Sequence, residues 1–458
     1  MIESDAFKLL LINLFHLNPD DIANIFCTTF NNMMVLLVTL ADKHQACPYC
    51  GFTAPKIKEY VTKEITHSAL TTQKCIIKYR ARRYKCPCCG KTYYEFNPFV
   101  FKSQKISILT VHNILKDLKD FNETFTSVAR RYHVSPTSVS TIFDNHVDIG
   151  RNPLPEIINF DEVYAFKSEK SKYVCVLLDF KKQIPVDVLP NRKKEYLLNY
   201  FQKIPLEERK KVKYACSDMY EVYRDVVHKV FPCSCMLLDY FHLSQDFHRK
   251  MNEVRIKVMK GYKDDKASDE YYLLKKFNWL LFKNPEDEDK YGRLFDVERE
   301  RKYNSHFKSY MNYYDLRRKL LEINNDLTIC YSLKLELVDF YSKSTIDNAQ
   351  VNLEHLIRSC IDTNIEEMIA FSNNLINWKQ EIINSFTIVG TEYKVEADKG
   401  QVVVCNKKVN NAIIENRNKI IKCIKNNANG YTNWSRFRNR VMYVLDPNTT
   451  FSLEPREK

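Results

Sequence analysis

The sequence predicts a multidomain α/β protein, and three observations predict it. Its 458 residues exceed what one hydrophobic core organises, so two to four domains are expected. Between about residues 156 and 256, short apolar runs alternate with amphipathic helical stretches, as an α/β sheet requires. Seven of the cysteines fall before residue 100, four of them in two C-x-x-C-G pairs, which sets off a separate N-terminal module.

Composition narrows the function classes. With 45% hydrophobic and 13% aromatic residues the chain can build packed cores, and only Glu454 to Lys458 reads as a loose tail. Glycine is scarce at 8 residues, and neither GxxxxGK[ST] nor GxGxxG occurs, which argues against nucleotide-driven chemistry. The formal charge of +13 suits a polyanionic partner, although a merely soluble basic surface has the same composition. Met1 to Phe15 lacks the marks of a secretory signal. The most apolar run, Met33 to Ala41, is far short of the roughly 20 residues a membrane span needs. A cytoplasmic location is the expectation, so the cysteines should be reduced and their pairing points to metal rather than disulfides.

Five segments separate by pattern: 1–100 with the cysteine module, 101–150 helical, 151–256 α/β, 257–400 mainly helical, and 401–458 ending in a basic helical stretch from Lys408 to Leu445. In the first, Cys47-Pro-Tyr-Cys50-Gly51 and Cys86-Pro-Cys-Cys89-Gly90 are two knuckles. Two thiolates at this spacing reach one tetrahedral ion while the glycine permits the tight turn, so the pairs read as a four-cysteine zinc ribbon with a structural Zn2+. Cys88 is an alternative ligand to Cys86 or Cys89, although only the latter two keep the two-residue gap; unligated buried cysteines are the other reading. Cys27 and Cys75 lack partners at ligand spacing and are expected in the core. Between the knuckles, Lys74 to Tyr84 alternates apolar residues with Arg80, Arg82 and Arg83, as a ribbon strand with a cationic face would.

Phe125 to Phe143 fits a helix-turn-helix: Val128 and Ala129 inward on one helix, a turn at His133 to Ser135, then Val139, Ile142 and Phe143 inward on the next. Ser135 can cap the second helix and Pro136 suits its first position. Thr137, Ser138 and Ser140 are expected to face outward, towards phosphates or base edges. An ordinary helical hairpin shares the local pattern.

Ile157 to Val163 is an apolar strand carrying Asp161 and Glu162. Strands at Tyr173–Phe180 and Ile184–Leu189, a helix near Lys193–Ile204 and a strand at Lys213–Ser217 ending in Asp218 complete the order of a ribonuclease-H-like fold. There the first and fourth strands are neighbours, so Asp161 and Asp218 converge, and two adjacent carboxylates call for cations between them. Magnesium prefers such hard oxygen ligands, and two ions about 4 Å apart would activate a water or 3′ hydroxyl and stabilise the leaving oxygen. Glu162 and Asp179 are decoys, the first because it points away from its neighbour. Glu415 is a candidate third acid, on a helix with Lys419 and Lys422 along the same face. Taken alone it reads more readily as an exposed Glu–Lys pair.

Together these residues resemble bacterial insertion-sequence transposases of the ISL3 type, in the DDE class, over nearly the whole chain. The resemblance rests on the two knuckles with Arg82-Arg83-Tyr84 before the second, the helix-turn-helix, Phe160-Asp161-Glu162, Ser217-Asp218-Met219 and Leu238-Asp-Tyr-Phe-His242. It continues through Glu415-x-x-Asn418-x-x-Ile421-Lys422 and Gly430-Tyr-x-Asn-x-x-x-Phe437-Arg438. It implies a ribonuclease-H-like core interrupted by an α-helical insertion, with Asp161, Asp218 and Glu415 as the catalytic triad holding two Mg2+ (or Mn2+). Asp239 and His242 match a D-x-x-H signature in related transposases and are implied as supporting positions. Arg438, Lys419 and Lys422 join the cationic residues expected at DNA. The family usually has glycine after the glutamate, where this chain has Asn416. The implied function is binding of terminal inverted repeats in double-stranded DNA, then metal-dependent strand cleavage and transfer into target DNA. A nucleoid-associated protein, dimeric or higher when synapsed, is expected. The alternatives are a catalytically inactive DNA-binding regulator derived from a transposase, and a nuclease without strand transfer.

Overall fold

The computed structural model describes residues 2–43, 45–101, 104–166, 171–395 and 402–456. The architecture is mixed α/β: two five-stranded sheets, a helical trio between them and a large helical segment. Among the described residues no helix is long and apolar enough to cross a membrane.

Helix α1 (Ile2–Leu14) precedes the N-terminal sheet of β1 (Ile22–Phe30), β2 (Met33–Leu40), β3 (Lys56–Thr66), β4 (Cys75–Lys85) and β5 (Thr92–Tyr94). Its order is β1-β2-β4-β3, with β5 paired to β4. The alternation read in β4 is realised: Cys75, Ile77, Tyr79 and Ala81 are buried and Arg80 is exposed. Cys27 departs from expectation and is exposed, because β1 is an edge strand of which only Ile22 and Ile25 reach the core.

The helical trio is α2 (Ile108–Asp117), α3 (Phe125–Arg131) and α4 (Pro136–His146). His133 makes the turn with a left-handed φ of 53°, and the Ser135 side chain accepts from the Ser138 N–H to cap α4. The trio does not close a core of its own. Val111, Ile114, Val128, Val139 and Phe143 share one apolar cluster with Val163, Val174 and Val176 of the second sheet and with Phe437 and Val441 near the C-terminus.

The second sheet holds β6 (Ile157–Val163), β7 (Val174–Asp179), β8 (Pro185–Leu189), β9 (Tyr214–Ser217) and β10 (Cys235–Leu238), in the order β10-β9-β6-β7-β8. β6, β9 and β10 run parallel, and β7 alone runs antiparallel, paired between β6 and β8. Helices α5 (Lys194–Gln202), α6 (Leu206–Arg209) and α7 (Glu221–Val230) follow β8 and β9. Helix α8 (Tyr240–Lys260) begins directly after β10 and runs through the boundary expected at residue 256. It leads into α9 (Asp269–Lys276), two short hairpins β11–β12 (Glu288–Asp289, Gly292–Arg293) and β13–β14 (Lys302–Asn304, Ser309–Met311), and α10 (Tyr313–Glu322). Then come α11 (Asn325–Lys343), α12 (Ala349–Asp362), α13 (Glu366–Asn377) and α14 (Lys379–Asn384). These pack around their own core, and Asn384 donates to the Met236 carbonyl at 2.9 Å, returning the segment to the edge of the sheet.

A hairpin of β15 (Ile388–Val395) and β16 (Val402–Lys408) precedes α15 (Ala412–Asn427) and α16 (Trp434–Leu445). The single helical stretch expected from Lys408 is therefore two helices, broken where Asn429 and Gly430 take φ of 55° and 98°. Of the tail expected to be loose, the described part is tied down: Arg456 pairs with Asp148 at 2.8 Å, and its N–H donates to the Asn145 carbonyl at 3.1 Å, while Glu457 and Lys458 lie outside the described residues.

Candidate active site

Strand register brings the acids together. Asn159 stands opposite Cys216 in β6–β9, and Ser217 opposite Leu238 in β9–β10. Continued to the strand ends, these registers set Asp161, Asp218 and Asp239 level on three adjacent parallel strands and on the same face. The other face takes Phe160, whose ring meets those of Phe201 and Tyr223 at 5.8 and 5.5 Å. Glu162 follows Phe160 in direction: it pairs with Arg192 and accepts from the Tyr223 hydroxyl at 3.2 Å. Asp179 accepts from the N–H groups of Lys181 and Lys182 within its own turn.

Helix α15 is held over the acidic face by three asparagines. Asn159 donates to Asn411 Oδ1 at 2.6 Å and to the Asn410 carbonyl at 2.8 Å, and Asn411 donates to the Phe160 carbonyl at 3.3 Å. One helical turn beyond Glu415, Asn418 donates to Asp161 Oδ2 at 2.7 Å. The strand that carries Asp161 and the helix that carries Glu415, far apart in sequence, are thus joined through the amide of Asn418, a residue with no role assigned from sequence alone.

Ligand-type atoms of Asp239, His242 and Glu415 all lie within 4.8 Å of one another. His242 stands one turn along α8 from Asp239, with Nε2 at 3.8 Å from Asp239 Oδ2. Asp161 and Asp218 do not share such a group with Glu415 among the described residues. The three expected acids therefore occupy two adjoining parts, Asp161 with Asp218, and Glu415 with Asp239 and His242.

Electrostatics match this crowding. Burial, reinforced by the Asp218 carboxylate, raises Asp161 to about 7. Burial, with Glu162 nearby, raises Asp218 to about 6, and burial raises Asp239 as well. His242 opposes the rise in all three. Asp218 Oδ1, Asp239 Oδ2, His242 Nε2 and Asn418 Oδ1 are buried without a hydrogen-bond partner among the described residues. Buried polar atoms left in that state are costly, and four around one acidic face suit a cationic occupant.

The four-cysteine group is equally local in origin. Gly51 and Gly90 take left-handed φ of 76° and 70°, and their N–H groups donate to the Cys47 and Cys86 carbonyls at 2.8 and 2.9 Å. Each knuckle thereby folds its two sulfurs to one side, and Cys47, Cys50, Cys86 and Cys89 have Sγ atoms within 4.8 Å of one another. Cys88 is exposed and outside the group. The N–H of Cys89 lowers the Cys86 thiol to about 7. The arrangement is compatible with zinc.

The residues expected at DNA divide. Arg80 stacks on Tyr60 at 4.8 Å, Arg83 pairs with Glu59 at 2.7 Å, and Thr137, Lys419 and Lys422 are exposed. Ser138 is half-buried beside Ser135 at 2.8 Å. Three turn inward instead. Arg82 binds Glu95 at 2.8 Å and the Leu40 and Ala41 carbonyls, because its place on β4 lies beside the end of β2 and the residue that follows β5. Ser140 is buried and donates to the Thr137 carbonyl at 3.0 Å, its position falling on the inner side of α4. Arg438 pairs with Asp187 at 2.7 Å and donates to the Ile149 carbonyl at 2.7 Å, joining α16 to the sheet.

A family model described as a transposase of the ISL3 DDE type matches residues 158–397, more than half of the chain. The chain belongs to the ISL3-type transposase family. The matched residues include Asp161, Asp218, Asp239 and His242 and end before Glu415. The chain is also similar to the transposase for insertion sequence element IS1001 of Bordetella parapertussis, 20% identical over 409 residues, which cover 89% of this chain and 90% of that protein. That similarity spans far more of this family member than the matched segment alone.

Proposed function

We propose that this transposase binds the terminal inverted repeats of its element, cuts DNA at their 3′ ends and joins those ends to target DNA. Asp161, Asp218 and Glu415 are its catalytic acids. The observation that carries the reading is the three-strand alignment of acids under a helix pinned by Asn411 and Asn418, with buried polar atoms left unpartnered. The sheet order supports a ribonuclease-H-like core, the segment from the end of α8 to α14 an insertion in it, the four sulfurs a zinc ribbon, and α3–α4 a helix-turn-helix. The units we assign are 1–100, 101–150, 151–256, 257–400 and 401–458, and two or more copies meet when the ends are paired.

Asp161, Asp218 and Glu415, with Asp239 and His242 alongside, would hold two Mg2+ or Mn2+. Such ions supply a nucleophile at neutral pH and stabilise charge on the attacking and leaving oxygens. The protein's own part is positional. Asn418 fixes the Asp161 carboxylate, Arg192 and Tyr223 hold Glu162 on the opposite face, and exposed Lys419 and Lys422 offer charge to a DNA backbone beside Glu415. Arg80 and Arg83 of β4 and Thr137 and Ser138 of α4 contribute to end binding. Incubating the protein with repeat-bearing DNA and divalent metal tests the reading: nicked and joined products are expected, and binding without cleavage would favour the regulator instead.

Removing one positioning amide should be visible. Asn418→Ala is expected to lower cleavage roughly tenfold to a hundredfold, as losing a partner of a metal-binding carboxylate does. Unchanged rates would show that Asp161 does not depend on it.

The raised carboxyls also fix the sign of a pH effect. Asp161 titrates ordinarily at 3.8 but at about 7 when folded, so the metal-free fold keeps a proton that the unfolded chain gives up. Its stability contribution is therefore lost as pH rises from about 4 to about 7. Metal binding needs the ionised form, which Glu162 and the other acids oppose and His242 and Arg192 favour. Titration calorimetry with Mg2+ should find at least about tenfold tighter binding at pH 7.5 than at about pH 5.5, with proton release. Equal affinities would contradict it.

A further inference from the structure

We propose that Asp239, His242 and Glu415 form a divalent-cation site with a nitrogen donor, distinct from the Asp161–Asp218 pair and favouring Mn2+ over Mg2+. The proposal rests on reading this face as the metal-dependent site.

Three independent parts of the fold build it. Asp239 directly follows β10 at the start of α8, level with Asp218; His242 lies in the first turn of α8, so its imidazole returns over the same strand end; Glu415 descends from the first turn of α15. Their ligand atoms lie within 4.8 Å of one another. Asp239 is only 3% exposed, and both its Oδ2 and His242 Nε2 lack a hydrogen-bond partner among the described residues. Their separation of 3.8 Å is too long for a hydrogen bond. It falls between the roughly 3 Å and 4 Å separations of cis and trans ligands that bond at about 2.1 Å to one octahedral ion.

Glu415 is committed to this side. Asp161 Oδ2 is already occupied by the Asn418 amide, on the same helix one turn on, so the helix addresses Asp161 with a neutral donor and Asp239 with a carboxylate. The donor set is then one imidazole and two carboxylates with room for water. Carboxylate and water suit Mg2+ and Mn2+ alike, but imidazole is a ligand of the transition ions, so the mixture discriminates.

Pulsed paramagnetic resonance of Mn2+ added to the full-length protein tests this without reference to activity. Nitrogen modulation from a coordinated imidazole is expected, changing to the 15N pattern when the protein is grown on 15N-histidine. In Asp161→Asn/Asp218→Asn the nitrogen-coupled ion should remain. In His242→Gln the coupling should vanish and the Mn2+ over Mg2+ preference should fall at least about tenfold. Absence of nitrogen coupling in the wild type, its survival in His242→Gln, or its loss in the double aspartate variant would overturn the proposal. A protein that shows the coupling but cuts no DNA would sink the proposed function and leave this site standing. Cleavage without the coupling would do the reverse.

Discussion

Asp161→Asn is expected to abolish strand cleavage, by about a thousandfold or more, while leaving binding to repeat-bearing DNA close to wild type. The substitution keeps shape, and the carbonyl of the new amide can still accept from Asn418, but it removes a charge from the face that would hold metal. Losing several kcal/mol of charge stabilisation, at about 1.4 kcal/mol per tenfold, produces a loss of that order. The same change should raise the melting temperature of the metal-free protein near neutral pH. The native carboxyl is buried beside Asp218, and a neutral amide relieves that cost. A gel assay on labelled ends and a thermal melt check the two halves. Cleavage retained in magnesium would remove Asp161 from the mechanism; a lower melting temperature would mean that its burden lies elsewhere.

The second large effect concerns the cysteine group. Cys47→Ser should take metal analysis from about one zinc per chain to near none and disorder the hairpin that carries Arg80 and Arg83. Apparent binding energies of about 10–16 kcal/mol for structural zinc in small domains exceed what the local packing can replace. Around the sulfurs that packing amounts to little more than Tyr84 and Tyr93, with ring centroids 5.7 Å apart. DNA-end affinity should fall with the zinc although every acid is intact. A folded, metal-free protein that still binds its ends would refute the zinc ribbon.

Much of this was legible because short-range rules carried it. Knuckle spacing and the two glycines fix the sulfurs, and alternation along Ile157 to Val163 separates Asp161 from Glu162. What eluded sequence reading was relational. Asn159, Asn411 and Asn418 look like ordinary polar residues until α15 is laid across β6, since asparagine has no periodic signature. The grouping of Glu415 with Asp239 and His242 depends on the register of β10 against β9, which no local pattern encodes. Residue type alone draws Arg82, Ser140 and Arg438 outward, whereas Glu95, the inner side of α4 and Asp187 decide their burial.

Arg440 of α16 is 1% exposed and donates to the carbonyls of Asp120 and Glu123, just ahead of α3, while Tyr443 donates to the Leu115 carbonyl at 3.0 Å. With the apolar cluster that runs from α2–α4 into β6 and β7, these contacts pack the helical trio directly against the sheet that carries the acidic face. A duplex gripped by α4 would therefore be measured as by a fixed caliper. The number of base pairs between the recognised sequence and the cut would be a constant of the protein's core, and an element whose ends drifted by one pair would present the wrong phosphate.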